Sequence, residues 1–391
     1  MRRVCLLALA ALIGCGGDAV VEAQTTRVVV QSSGGEQVGQ QWIGGAPVRT
    51  RVVVGQDGET YVGVWIDAPD QVPGAVQTRP PMALSLVVDT SGSMSGEKIQ
   101  NARIAASSLL ESLVDGDIVS IYSFSNGVMQ IAAPTQVSTA TRGTLMQTVN
   151  YLHAGGGTNL FAGVTTGIQS VAQAPSSHTV RRVVLISDGH ANIGPSDPNA
   201  LGSLAGNGTE YGVQVSAIGV GLDYDENTLG ALAVQSSGRL YHLEHPYQMA
   251  SILEQEVQLL ANTVATNAYI EIVPAPGVTI LEGLSTGAQL QGNQLRMPLG
   301  SVYAGQRRDV LFRARISTAG GAGDRPLATA RFVYRTPGAN AAEQTQVAPL
   351  HYQVTRNQQA ATASAMPRVQ AMVANVEAAR AQRQAAVALN R

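Results

Sequence analysis

Cysteine is nearly absent: the 391 residues contain two, Cys5 and Cys15. Both lie at the extreme N-terminus, so the body of the chain has no thiol for a disulfide framework or a thiolate metal site. Lysine is scarcer still, since among 25 basic residues only Lys98 is a lysine. Charged residues make up 13% and the formal net charge is −2, with no long basic run. That balance excludes the electrostatic footprint of a nucleic-acid binder. No apolar run reaches the ~20 residues that a membrane-crossing helix needs. What the chain does have is a hydrophobic fraction of 45%, which suits packed domains and argues against wholesale disorder. Its length favours two domains with tails.

Arg2 and Arg3 precede a short apolar run, residues 4–13, which ends in Leu12-Ile13-Gly14-Cys15. This is the layout of a secretory signal. Its last four residues resemble the bacterial lipobox, in which the chain is cut just before the cysteine and the thiol receives a diacylglyceryl group. The resemblance implies loss of residues 1–14, lipidation of Cys15 and a membrane reached through that lipid. The expected location is the extracytoplasmic face of the cell envelope. Gly16 stands where an Asp would retain a lipoprotein at an inner membrane, so the outer membrane is expected where two exist.

Residues 15–26 read as a tether. Residues 27–31 are Val-rich, and residues 49–54 and 60–66 flank Gln56-Asp57-Gly58-Glu59. The Asp-Gly pair between alternating apolar positions predicts a hairpin. Residues 68–81, with four prolines, form a linker.

From Met82 the pattern changes. Residues 82–88 are apolar except for Ser85, as in a strand buried on both faces. Residues 97–113 then show helical spacing, with Ile99, Ala102, Ala106, Leu109, Leu110 and Leu113 on one side. Further strands are expected at 118–124, 128–133 (an edge), 183–186, 213–220 and 239–243, and helices at 142–152, 160–171 and 248–262. This alternation gives a doubly wound α/β domain over 82–262 with a mainly parallel sheet. Short strands follow at 269–273, 278–281, 294–297, 308–316, 328–334 and 346–354, spaced as in a sandwich. A hairpin is not stable alone in water, so residues 27–80 and 263–355 are read as one β-sandwich interrupted by the α/β domain. In the tail, 356–391, an Ala-rich helix is expected from Pro367, with Val369, Met372, Val373 and Val376 as its apolar stripe.

The first buried strand runs into Asp89-Thr90-Ser91-Gly92-Ser93. Thr158 lies in Gly155-Gly156-Gly157-Thr158-Asn159, and Asp188 in Ile186-Ser187-Asp188-Gly189. Ligands of open α/β sheets sit beyond the carboxyl ends of strands, where both acidic elements fall. Carboxylate and hydroxyl oxygens are hard donors that suit Mg²⁺, Mn²⁺ or Ca²⁺. These three elements resemble, in order and context, the metal-ion-dependent adhesion site of the von Willebrand factor type A family. Gly116-Asp117-Ile118-Val119-Ser120 resembles that family's second-strand entrance. The resemblance covers roughly residues 82–262. It implies a divalent cation, Mg²⁺ first, bound directly by Ser91, Ser93 and Thr158 and largely through water by Asp89 and Asp188. It also implies a protein partner that presents a carboxylate to the ion. Asp89, at a strand end, is expected to lie outside the core and to be replaceable without loss of fold.

Weaker patterns read blandly. Ser95-Gly96-Glu97-Lys98 has the S-x-x-K spacing of penicillin-binding proteins, but a chain with one lysine cannot supply that family's Lys-Thr-Gly element. Gly283-Leu284-Ser285-Thr286-Gly287 has nucleophile-elbow spacing among sandwich strands, where no helix follows. His242 and His245 could bind a metal, but nothing nearby completes a shell, so they read as a strand-end pair, and His190 is read as exposed. The sequence thus points to an adhesion-type binding protein and not an enzyme. A scaffold subunit of an envelope assembly is one alternative. A metal-dependent hydrolase is another, and it lacks an identifiable general base.

Overall fold

Alternating apolar residues in the first described segment make strands, though not in the expected pairing. The computed structural model describes residues 41–56, 58–70, 79–188, 190–338 and 342–389. The signal, Cys15, the tether, the 27–31 strand and residues 71–78 of the linker lie outside the described residues. In β3 (Gly58–Asp67), Val62, Val64 and Ile66 are fully buried at every second position. The expected hairpin does not form. β3 pairs antiparallel with β1 (Ile43–Pro47), whereas β2 (Arg51–Val53) crosses to a different sheet. β2 is too short to compete for β3, which is paired along its whole length with a strand far downstream, residues 307–316. β1 is Ile-Gly-Gly-Ala-Pro, which carries no strand pattern of its own. Gly44 is needed there, because a Cβ would stand 2.5 Å from the Trp65 indole packed over it.

The α/β domain follows in chain order. It comprises β4 (Met82–Asp89), α1 (Glu97–Ser112), β5 (Ile118–Phe124), β6 (Val128–Gln136), α2 (Thr139–Thr148) and α3 (Leu160–Ala172). β7 (Val180–Ser187), α4 (Pro198–Gly208), β8 (Val213–Val220), α5 (Glu226–Gln235), β9 (Leu240–Leu243) and α6 (Met249–Ala261) complete it. The sheet order is β6-β5-β4-β7-β8-β9, parallel except for β6 at one edge. α1, α2 and α6 cover one face and α3, α4 and α5 the other. β4 is central and buried throughout, so both faces must be apolar. α4 and α5 escaped the apolar pattern, but their starts carry local signals. Asp197 and Asp225 accept from the N–H groups of Ala200 and Thr228 as N-caps, and Pro198 opens α4. The domain's entrance is held by buried Asp117, which pairs with Arg79 at 2.5 Å and accepts from the N–H groups of Met82 and Val114.

Beyond α6 the chain returns to strands: β10 (Thr263–Pro274), β11 (Thr279–Gly283), β12 (Gln289–Gln291), β13 (Gln294–Tyr303), β14 (Arg307–Ile316), β15 (Gly323–Arg335) and β16 (Glu343–Thr355). One sheet has the order β1-β3-β14-β11 and the other β12-β13-β10-β15-β16-β2. Their inner faces share a core that includes Val62, Val64, Ile270, Phe312 and Phe332. Strands from both sides of the α/β insertion therefore build the same sandwich. α7 (Gln358–Thr362) leads to α8 (Pro367–Leu389), whose Val369 and Met372 pack on the outer face of β3 and β14. Arg368 fastens its start, pairing with Asp67 and Asp309 and lying 4.7 Å from the Trp65 ring. Among the described residues no helix is long and apolar enough to cross a membrane.

The two parts meet around a buried charge. Arg182 of β7 is fully buried and pairs with Glu256 of α6 at 3.4 Å. It also donates to the Tyr303 hydroxyl at 2.6 Å, from the sandwich side, and to Ser216 Oγ at 3.3 Å.

Candidate metal centre

β4 delivers Asp89 to the carboxyl edge of the sheet as its last residue, and the chain turns there through Gly92–Met94. Met94, fully buried beneath α1, fixes that turn from inside. Asp89 is at the strand end, as expected, but it is fully buried, which corrects the expectation of a site outside the core. Its Oδ1 accepts from the Ser91 N–H at 2.8 Å and its Oδ2 from Ser187 Oγ at 2.6 Å. Burial pushes its carboxyl above the usual carboxylate range, hydrogen bonds from Ser187 and Ser91 work against that, and nearby Asp188 adds to the rise. The Ser91 and Ser93 hydroxyl oxygens lie 3.0 Å apart. Ser93 Oγ donates to Asp188 Oδ1 at 2.8 Å, and the Lys98 ammonium takes Asp188 Oδ2.

Thr158 arrives from a third segment, tied to the first by its backbone. The Gly92 N–H donates to the Gly156 carbonyl at 3.0 Å, and the Gly155 N–H to the Thr90 carbonyl at 2.7 Å. Asn192 Oδ1 accepts from the Thr158 N–H at 2.8 Å, while Asn126 Oδ1 accepts from the Gly157 N–H at 2.6 Å. These two asparagines hold the loop and were not anticipated. Ser125-Asn126-Gly127 reads locally as a turn, and nothing near Asn192 in sequence points to Thr158. The glycine run has a steric cause. Gly156 sits at φ +88°, and a Cβ on Gly157 would fall 2.7 Å from Ile193 and 2.9 Å from Asn192. Asp89, Ser91, Ser93 and Asp188 are thus joined by hydrogen bonds at one end of the sheet, and the loop that carries Thr158 is tied to the same turn.

The family model for the von Willebrand factor type A domain matches residues 84–255. This chain carries a von Willebrand factor type A domain. An uncharacterized protein of Synechocystis sp. is 28% identical over 244 residues, which is 60% of this chain and 57% of that protein. The chain therefore spans less than two thirds of that relative. Among solved structures, a von Willebrand factor type A protein from Catenulispora acidiphila gives a TM-score of 0.67 at 17% identity, covering 84% of this chain and 77% of the other. The ArnB paralog VWA2 from Sulfolobus acidocaldarius gives 0.56 at 18% identity, covering 86% and 81%. Those coverages run well past the type A domain, so the strands around it share the likeness in fold.

The likeness to type A domains implies a divalent metal here, and the residues fit one. Every donor is a carboxylate or hydroxyl oxygen, the chemistry of Mg²⁺, Mn²⁺ and Ca²⁺. Thr158 is only 3% exposed, and its loop is held against the turn that carries Ser91 and Ser93. Ser93 is exposed, which leaves the site open to a partner.

The other patterns resolve simply. Ser95 Oγ donates to the Gly92 carbonyl, and Lys98 lies on Asp188, so the S-x-x-K pair opens α1 beside the site. Ser285 lies in the loop between β11 and β12, and its Oγ accepts from the Leu311 N–H at 2.9 Å. His242 packs on Tyr224 and His245 on Tyr247. No group of three or more His, Cys, Asp and Glu side chains suited to a metal occurs among the described residues. The exposed His190 stands 3.8 Å from Asp225.

Proposed function

We propose that this protein is a lipid-anchored, extracytoplasmic binding protein of adhesion type, whose type A domain engages a protein ligand through a divalent cation. The observation that carries this reading is the hydrogen-bonded cluster of Asp89, Ser91, Ser93 and Asp188 at the carboxyl end of the sheet, with the loop that carries Thr158 tied to the same turn. Ser91, Ser93 and Thr158 would hold the ion directly, and Asp89 and Asp188 largely through water. When bound, the ion supplies a Lewis-acidic position that a ligand carboxylate can fill. Two carboxylates and three neutral hydroxyls give the ion less negative charge than an all-carboxylate cage, which favours an added acidic ligand.

The ion binds the folded site and not the unfolded chain, so it stabilises the fold by linkage. At a hundredfold excess of Mg²⁺ over its dissociation constant the gain is about 2.7 kcal/mol, a melting shift on the order of 5–10 °C for a domain of this size. Thermal unfolding of the full chain in Mg²⁺ or Mn²⁺ against EDTA reads this directly. Capture of a protein ligand should likewise be lost in EDTA. Identical melting in all three buffers would overturn the reading.

The anchor rests on the lipobox-like Leu12-Ile13-Gly14-Cys15. Cys15→Ala should leave the chain unprocessed or released from membranes. Normal processing with salt-resistant membrane attachment in that variant would dismiss the lipid anchor while leaving the metal site untouched.

A further inference from the structure

The chain's single lysine is placed on the candidate site. Lys98, in the first turn of α1, pairs through Nζ with Oδ2 of Asp188, while Ser93 Oγ donates to Oδ1 of the same carboxylate. The Asp188 side chain is fully buried, and that of Lys98 is 31% exposed. A buried carboxylate without a counter-charge is strongly disfavoured. Of the two acidic groups at the site, Asp89 is satisfied by hydrogen bonds from Ser91 and Ser187, and Asp188 is neutralised by a lysine.

The residue type matters. Every other basic residue of this chain is an arginine, whose broad guanidinium holds a carboxylate in a fixed fork. A lysine ammonium is a compact point charge on a flexible four-carbon stem. It is the side chain that most nearly imitates a small bound cation, and its partial exposure lets it swing outward without moving α1.

We propose that Lys98 is an internal counter-cation of the metal site, which holds Asp188 when no ion is bound and competes with the ion for that carboxylate. The inference rests on the reading that the five oxygen-bearing side chains take a divalent cation. Two consequences follow from electrostatics. A positive charge within a few ångströms of the ion weakens its binding, so Lys98 sets the affinity below what the donors alone would give. Binding the ion also removes the partner of Lys98, so the ammonium moves into solvent. The lysine keeps the apo site ordered, and the ion must reach a higher concentration to replace it.

The only lysine makes the test specific. The full chain is treated with a limiting amine-acetylating ester in EDTA and in excess Mn²⁺, and the fragment spanning residues 80–103 is quantified by mass spectrometry. Acetylation of Lys98 is expected to be severalfold faster with Mn²⁺. In parallel, Mn²⁺ binding is titrated calorimetrically for wild type and Lys98→Met, which keeps most of the stem and removes the charge. The variant should bind roughly tenfold more tightly. If Mn²⁺ binds both proteins equally, or binds the variant more weakly, and acetylation ignores the ion, Lys98 is not a competitor, though the metal site stands. If neither protein binds Mn²⁺, the metal reading and this proposal fall together.

Discussion

Glu256→Ala should lower the stability of the folded chain by about 3–5 kcal/mol, the usual loss when one member of a buried ion pair is deleted. Glu256 and Arg182 are both fully buried. Glu256 also accepts from Ser216 Oγ at 2.6 Å and from the Tyr241 hydroxyl. Among the described residues no other carboxylate pairs with Arg182. The alanine variant therefore strands a guanidinium in an apolar sheet, with the Tyr303 and Ser216 hydroxyls as its remaining partners. Removing both charges together, as Arg182→Met with Glu256→Leu, should cost less than Glu256→Ala alone, because apolar replacement of a whole buried pair is often near neutral. Urea midpoints at constant slope measure both. A loss below about 1 kcal/mol for Glu256→Ala would mean that the pair is not desolvated in solution.

Asp89→Asn should abolish the stabilisation by Mg²⁺ or Mn²⁺ with little change in the baseline fold. The amide keeps an acceptor for the Ser91 N–H, which now bonds Oδ1 at 2.8 Å, and removes the charge that draws the ion. Asp89→Ala should lose the ion response too. It should also lose about 1–3 kcal/mol without any ion, because the buried Ser91 N–H and Ser187 hydroxyl would forfeit their acceptor. Comparing the two variants in EDTA and in Mn²⁺ separates structural cost from metal binding. A wild-type-sized Mn²⁺ shift in Asp89→Asn would exclude this carboxylate from the site.

The parts that the sequence made legible are those with local causes. β4 and β5 are mostly apolar, interrupted only by serines before Asp89 and Phe124, and the Asp89-Ser91-Ser93 spacing, Thr158 after three glycines and Asp188 after a buried strand are readable in order. What was missed depends on partners distant in sequence. β1 becomes a strand only because Trp65 and β3 cover its glycines. The chain does turn after β2, at Val54-Gly55, but the strands it joins lie in different sheets because β3 has β14 as a full-length partner. The β7 strand was begun at Val183, which left out Arg181 and Arg182, since an arginine argues against burial until Glu256 and Tyr303 are known to meet it. The same holds for Lys98, whose sequence context shows a helix start and whose meaning comes from Asp188.

The direction of β4 has a mechanical consequence. Its amino end is fastened by Asp117, which accepts from the Met82 N–H and pairs with Arg79. Its carboxyl end carries Asp89 and the turn to Ser93. On either side β5 and β7 run parallel to it over nearly its whole length. A load applied to the site at the carboxyl end, with the rest of the sheet held, would pull the strand along its own axis. Its rungs to both neighbours would then bear the tension together in shear instead of parting one at a time as in a peeled hairpin. The strand that presents the site is thus braced against traction from both sides.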